Sequence, residues 1–175
     1  NYPQEEIIYG RKDGTALTMI RMNPKGKANG KAVIFVIAGS WRSSYRAYES
    51  YYAPQAYMYL AKGYTVFAVY HISQPEATIM EITEDVNRAV RYIRHNARQY
   101  GVDPNQLGVT GGSAGGHLSL MLATRGGPGP AGATETLGIL LYREAFSSFR
   151  FGTAAALGVL MIATAAIVVV LGSRW

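Results

Sequence analysis

Over the first 125 of its 175 residues, the chain alternates short apolar runs with polar breaks rich in glycine and proline. Residues 4–9 and 15–22 read as two strands, with Arg11-Lys12-Asp13-Gly14 as the hairpin turn between them. Residues 25–31 form a polar loop. Residues 32–37 are then continuously apolar, as in a strand covered on both faces in a parallel sheet. A tyrosine-rich helical region follows over 45–62, interrupted near Pro54 and closed by Gly63. Residues 64–70 read as the next buried strand. Thr78 and Glu81 have capping-box spacing and open a helix whose stripe is Ile82, Val86, Ala89, Val90, Ile93 and Ala97. That helix ends near Tyr100-Gly101, and Asp103-Pro104-Asn105 turns the chain into a short strand at 107–110. Residues 114–123 read as a further helix. A hairpin followed by alternating strands and helices predicts a parallel sheet in an α/β fold.

Between the last strand and helix stands Gly111-Gly112-Ser113-Ala114-Gly115, which fits G-x-S-x-G. In a nucleophile elbow the chain leaves a strand, turns sharply around a serine and enters a helix. Gly111 and Gly115 fit such a turn because side chains two positions either side of the serine would have no room. A glycine-rich turn with an incidental serine gives the same pattern; the flanking strand and helix favour the elbow. A phosphate-binding P-loop would need Lys after Gly116, where His117 stands.

Composition narrows the classes. Zero cysteines removes disulfides, thiolate metal sites and a cysteine nucleophile together, and no metal or cofactor is expected. The net charge of +6 is scattered, or spaced along one helix at Arg88, Arg91, Arg94 and Arg98. With neither a dense basic patch nor a recognised motif, no nucleic-acid partner is expected. The chain begins at Asn1 without a charged-then-apolar leader, so a signal peptide is expected to be absent, removed or lost from a fragment.

Residues 1–125 resemble the N-terminal half of an α/β-hydrolase of the esterase/lipase group, near its feruloyl-esterase-like and acetylesterase-like members. Gly39-Ser40-Trp41, the Gly63–Val69 segment, the segment from His71 to Pro75, Ala89 through Ala97, and Gly111 through His117 carry the resemblance. It implies a serine ester hydrolase acting on a small ester, with Ser113 as nucleophile. It also implies an oxyanion hole from the Ala114 N–H and an N–H of Ser40 or Trp41. Ser40 stands where the glycine-run version of that loop has glycine. His71, at the rim of the expected pocket, is read as pocket-lining or structural, and His95 as packing or capping locally.

In this fold the acid and then the histidine follow the serine. After Ser113 come only His117, Glu135 and Glu144. The resemblance makes His117, in the first turn of the elbow helix, structural, which leaves the acid and base missing and predicts little or no turnover. The later strands are missing as well, so 107–110 is expected at an open, aggregation-prone edge, which residues 137–142 could cover.

The remainder has a different character. Residues 126–135 read as a Gly/Pro linker and 136–175 as an amphipathic lead-in to a transmembrane-type helix. Residues 151–173 carry no charge, a length that spans a bilayer core of about 30 Å. This tail resembles the last membrane helix and preceding loop of a sugar ABC-transporter permease, on Tyr142-Arg143-Glu144-Ala145-Phe146 and the run from Phe151 to Ala156. The fold expected is thus a truncated α/β-hydrolase sheet followed by one membrane helix, of uncertain sidedness, although hydrolases of this kind are often secreted. Arg143 and Arg150 before the helix, against Arg174 after it, would keep the hydrolase part cytoplasmic, whereas the permease likeness would put it outside. Three readings stay open: an anchored ester hydrolase, a membrane fragment of a transporter, and a chimeric fusion with neither activity.

Overall fold

The structure, a computed structural model, describes residues 2–125 together with residues 152, 153, 155, 156, 158 and 159. The chain divides into two units, Asn1–Leu122 and Ala123–Trp175. In the first, strands β1 (Gln4–Lys12) and β2 (Thr15–Met22) form the expected hairpin. The turn is shorter than the sequence suggests. Lys12 pairs with Thr15, so only Asp13 and Gly14 lie between the strands, at φ 48° and 80°. Two positive φ angles make a type I′ turn, whose twist matches that of the strands; Asp-Gly suits it.

The sheet order is β1-β2-β4-β3-β5, with β3 at Ala32–Val36, β4 at Thr65–Val69 and β5 at Leu107–Thr110. The hairpin joins antiparallel through β2 and β4, and β4, β3 and β5 run parallel. Every residue of β3 and β4 is buried, because helices lie over both faces. On one face Val33, Phe35 and Ile37 pack with Tyr52, Ala56 and Leu60. On the other, Ile34 and Phe67 meet Ala89 and Ile93 of α3 (Ile79–His95), while Val36 and Ala38 meet Leu118 and Leu122 of α4 (Ala114–Arg125). Among the described residues β5 is one of the two edges of the sheet, opposite β1, with Val109 exposed.

The tyrosine-rich helix is built in three pieces. A turn of α-helix, α1 (Tyr45–Ala47), passes into a π turn over Tyr48–Tyr52 and then into α2 (Ala53–Ala61). The break thus falls before Pro54, which occupies the first turn of α2, where its missing N–H costs nothing. In the wider turn the Ala53 N–H reaches the Tyr48 carbonyl, five residues back. Helix α3 ends earlier than its apolar stripe suggests, because the Asn96 side-chain amide donates to the Tyr92 carbonyl at 2.8 Å and closes the last turn.

The described residues between 152 and 159 are helical, and no helix among the described residues is long and apolar enough to cross a membrane. The 126–135 linker, the 137–142 segment and most of the uncharged 151–173 run lie outside the described residues.

The capping box of α3 is complete: the Glu81 N–H donates to the Thr78 hydroxyl, and the Thr78 N–H donates to the Glu81 carboxylate at 2.8 Å. Glu81 is held below the ordinary glutamate value, first by that backbone N–H, then by the Thr78 hydroxyl and the Lys12 charge. A depressed carboxyl adds stability that is present above its unfolded value and lost as pH falls through its folded one. Thr78→Ala is expected to lower the thermal midpoint by roughly 2–4 °C at neutral pH. The gap from wild type should narrow as pH falls through the depressed Glu81 value. A gap that stays constant with pH would show that the carboxylate contributes nothing to the cap.

Candidate active site

The parallel strands β3 and β5 are neighbours, so the loops leaving their carboxyl ends emerge side by side, where open α/β sheets bind ligands. Beyond β5 the chain turns at Ser113, which is exposed and sits at φ 51°. That left-handed conformation is uncommon for a residue with a side chain and costs on the order of 1–3 kcal/mol, so its surroundings must impose it.

Two close approaches do so. A Cβ on Gly115 would lie 2.4 Å from the Val36 carbonyl oxygen, and one on Gly111 would lie 2.6 Å from the Gly115 carbonyl carbon. The start of α4 is therefore pressed directly against β3, and the serine between the glycines is thrust outward. The Gly115 N–H donates to the Gly112 carbonyl at 2.9 Å and the His117 N–H to that of Ser113 at 3.0 Å, closing the first turn. Ala114 heads α4, so its N–H is one of the donors that a helix leaves without an intrahelical partner.

The loop after β3 is a tight turn. The Gly39 N–H donates to the Arg42 carbonyl at 2.8 Å and the Arg42 N–H donates back at 2.9 Å. Its middle residues, Ser40 and Trp41, have φ 50° and 57°, again a type I′ turn, here without glycine at either centre. Neither central N–H finds a hydrogen-bond partner among the described residues.

Neighbouring segments hold this strained turn. The Gln74 N–H donates to the Trp41 carbonyl at 3.1 Å, the Ser43 hydroxyl donates to the Ile37 carbonyl at 2.6 Å, and the Ser43 N–H donates to the Ser73 hydroxyl at 3.0 Å. The Trp41 ring stands edge-on to His117, with centroids 5.9 Å apart. The indole links the loop after β3 to the first turn of α4.

His71 follows β4 and is buried. Its Nδ1 lies 2.7 Å from the Ile72 carbonyl, which can only accept, so Nδ1 carries the proton. Burial lowers its pKa below the ordinary histidine value, against the raising effect of the carbonyl contact. The ring is therefore neutral at pH 7. Its Nε2 is buried without a hydrogen-bond partner among the described residues. His95 is exposed near the end of α3. Among the described residues no cluster of three or more His, Cys, Asp or Glu could hold a metal ion.

Two residues drew no attention in the sequence. Tyr52 reaches both loops with its hydroxyl, 3.1 Å from the Ala38 carbonyl and 3.3 Å from the Gly112 N–H. Asp85 is buried under the hairpin, 4.0 Å from the Lys12 ammonium, and burial raises its pKa. A carboxylate on the apolar stripe of α3, three residues after Ile82, was the available signal for Asp85.

The BD-FAE family model matches residues 19–130, most of the described unit and both loops. The chain belongs to the BD-FAE family. It is similar to the esterase LipQ of Mycobacterium tuberculosis, 35% identical over 74 residues that cover 40% of this chain and 18% of LipQ. An acetylxylan esterase of Xylanibacter ruminicola is 34% identical over 98 residues, 55% of this chain and 19% of that protein. Among solved structures, native Est2, an esterase of Thermogutta terrifontis, superposes with TM-score 0.62 at 25% identity, covering 77% of this chain and 48% of Est2. Its butyrate-bound form gives 0.59 at 26% identity, covering 66% and 42%. The chain thus spans less than half of each relative named. These esterase matches do not support the permease resemblance of residues 126–175.

The two close approaches set an order of tolerance within the turn. Gly115→Ala should destabilise the chain by about 1–3 kcal/mol, since backbone must move away from the added methyl. Gly112→Ala should change stability by less than about 0.5 kcal/mol, because its Cβ meets only the Tyr52 hydroxyl, at 3.7 Å. Denaturant midpoints of the two variants check this; equal losses would mean that α4 does not press on β3 as described.

Proposed function

We propose that the chain acts on carboxylic esters, with Ser113 as the nucleophile. The observation that carries the reading is an exposed serine held at positive φ between a parallel strand and the N-terminus of a helix. In the proposed reaction the Ser113 oxygen attacks the ester carbonyl and its proton passes to solvent water, since no base is assigned within the chain. The carbonyl electron pair becomes an oxyanion. The N–H of Ala114 and that of Ser40 or Trp41 receive this charge, and such preorganised donors are typically worth about 3–4 kcal/mol each. Collapse of the intermediate expels the alkoxide, which takes a proton from water to leave as the alcohol, and leaves an acyl-serine, which water cleaves to release the acid and restore the serine hydroxyl.

The names of the relatives support an ester substrate: LipQ is an esterase, and the Xylanibacter protein acts on acetylxylan by its name. In this reading His71 lines the pocket. His117 serves the site as a packing partner of Trp41, and no acid or base is assigned within the chain. Activity should accordingly be slow, because a serine hydroxyl without an adjacent base is a weak nucleophile. A separate proposal, resting on sequence alone, is that the uncharged 151–173 run associates with membranes; flotation of the full chain with liposomes would support it, and failure to float would remove it.

The full chain should hydrolyse p-nitrophenyl acetate slowly, and Ser113→Ala should bring the rate to the buffer background. His117→Ala should lower it far less than Ser113→Ala does. Hydrolysis that survives Ser113→Ala would overturn the assignment. Fast turnover lost equally in both variants would make His117 the base.

A further inference from the structure

We infer that Tyr52 is a positioning residue of the ester-hydrolysing site, its hydroxyl fixing the nucleophile turn relative to the loop after β3. The inference rests on the reading of Ser113 as nucleophile and extends it to a residue on the helix of the opposite layer.

Tyr52 ends the π turn, and its ring is buried edge-on against Phe35, with centroids 6.2 Å apart at 81°. From there the hydroxyl reaches the space between the two loops. It donates to the Ala38 carbonyl at 3.1 Å and accepts from the Gly112 N–H at 3.3 Å. The Gly112 carbonyl is also 3.3 Å away, but a phenol has one proton, so the two carbonyls share it. Ala38 immediately precedes the Gly39–Arg42 turn, and Gly112 immediately precedes Ser113. A Cβ on Gly115 would come within 3.3 Å of the same hydroxyl, so the oxygen sits over both sides of the serine turn.

This placement matters because the proposed oxyanion donors come from separate loops. The Ala114 N–H belongs to the turn that Gly112 opens; the Ser40 and Trp41 N–H groups belong to the turn that Ala38 opens. Oxyanion stabilisation requires both sets at about 2.7–3.1 Å from one point. The Tyr52 hydroxyl is a single atom bonded to the root of each turn. The π turn fits this role, since such turns recur at functional sites.

The test uses Tyr52→Phe in the full chain, which removes the hydroxyl and keeps the ring on Phe35. Tyr48→Phe is the control, because the Tyr48 hydroxyl points to the Met22 sulfur and touches neither loop. With p-nitrophenyl acetate, Tyr52→Phe should lower Ser113-dependent kcat about 10- to 100-fold, the effect of a small misplacement, and leave KM within about twofold. Tyr48→Phe should leave kcat unchanged. Hydrogen exchange at the Gly112 amide should accelerate about fivefold or more in Tyr52→Phe, while amides of β3 and β4 keep their protection. An unchanged Gly112 exchange rate, or an unchanged kcat, would overturn the inference. A change confined to KM, or an equal fall in kcat for Tyr48→Phe, would also overturn it. Absence of any Ser113-dependent hydrolysis in the wild-type chain would instead overturn the underlying reading, and the inference with it, even where Gly112 exchange responds.

Discussion

The contact on which the site depends is backbone against backbone: the first turn of α4 packs against the end of β3 with no space for a side chain. A methyl on Gly115 would stand 2.4 Å from the Val36 oxygen, well inside van der Waals contact. Because α4 cannot retreat without losing Leu118 and Leu122 from the core, the strain falls on the turn that joins it to β5. Ser113 takes that strain as a left-handed backbone and faces solvent. The sheet thereby presents a hydroxyl beside the Ala114 N–H at the start of α4, whatever chemistry they perform.

The second strained turn, at Ser40 and Trp41, is held by different means. Hydrogen bonds from Gln74 and through Ser43 and Ser73, together with the Trp41–His117 ring contact, hold it instead. Two non-glycine pairs of φ and ψ of this kind would relax if those partners were lost. The two turns are thus one mechanical unit, with His117 joining them on one side and Tyr52 on the other. Membership of the BD-FAE family, and esterase relatives that share this region, give that unit its proposed chemistry.

Much of this was legible in the sequence, for physical reasons that differ from place to place. Continuous apolar runs at β3 and β4 announced strands covered on both faces, and the 3.6-residue stripe announced α3. The glycines around Ser113 announced a turn without room for side chains. The turn at Ser40 and Trp41 was hidden, because neither residue is a type that usually takes positive φ; its conformation is set by tertiary partners rather than local preference. The π turn was hidden in the same way, since Pro54 signals only where a helix can begin. Tyr52 is one of 13 tyrosines, and nothing in its immediate neighbours marks it apart from Tyr51 or Tyr48. Only the packing of the helix across the sheet sends its hydroxyl to the two turns. The charge-free run at 151–173 lies mostly outside the described residues, so its reading rests on sequence alone.

The central claim, that packing of α4 on β3 makes Ser113 the reactive nucleophile, is tested most directly by covalent trapping. The full chain would be treated with excess p-nitrophenyl phosphonate ester and the adduct mapped by peptide mass spectrometry. The account predicts a single phosphonyl group on Ser113, absent from Ser113→Ala and from chain unfolded before treatment. Modification spread over other serines and tyrosines, or equal modification of Ser113 in the folded and unfolded chain, would contradict it.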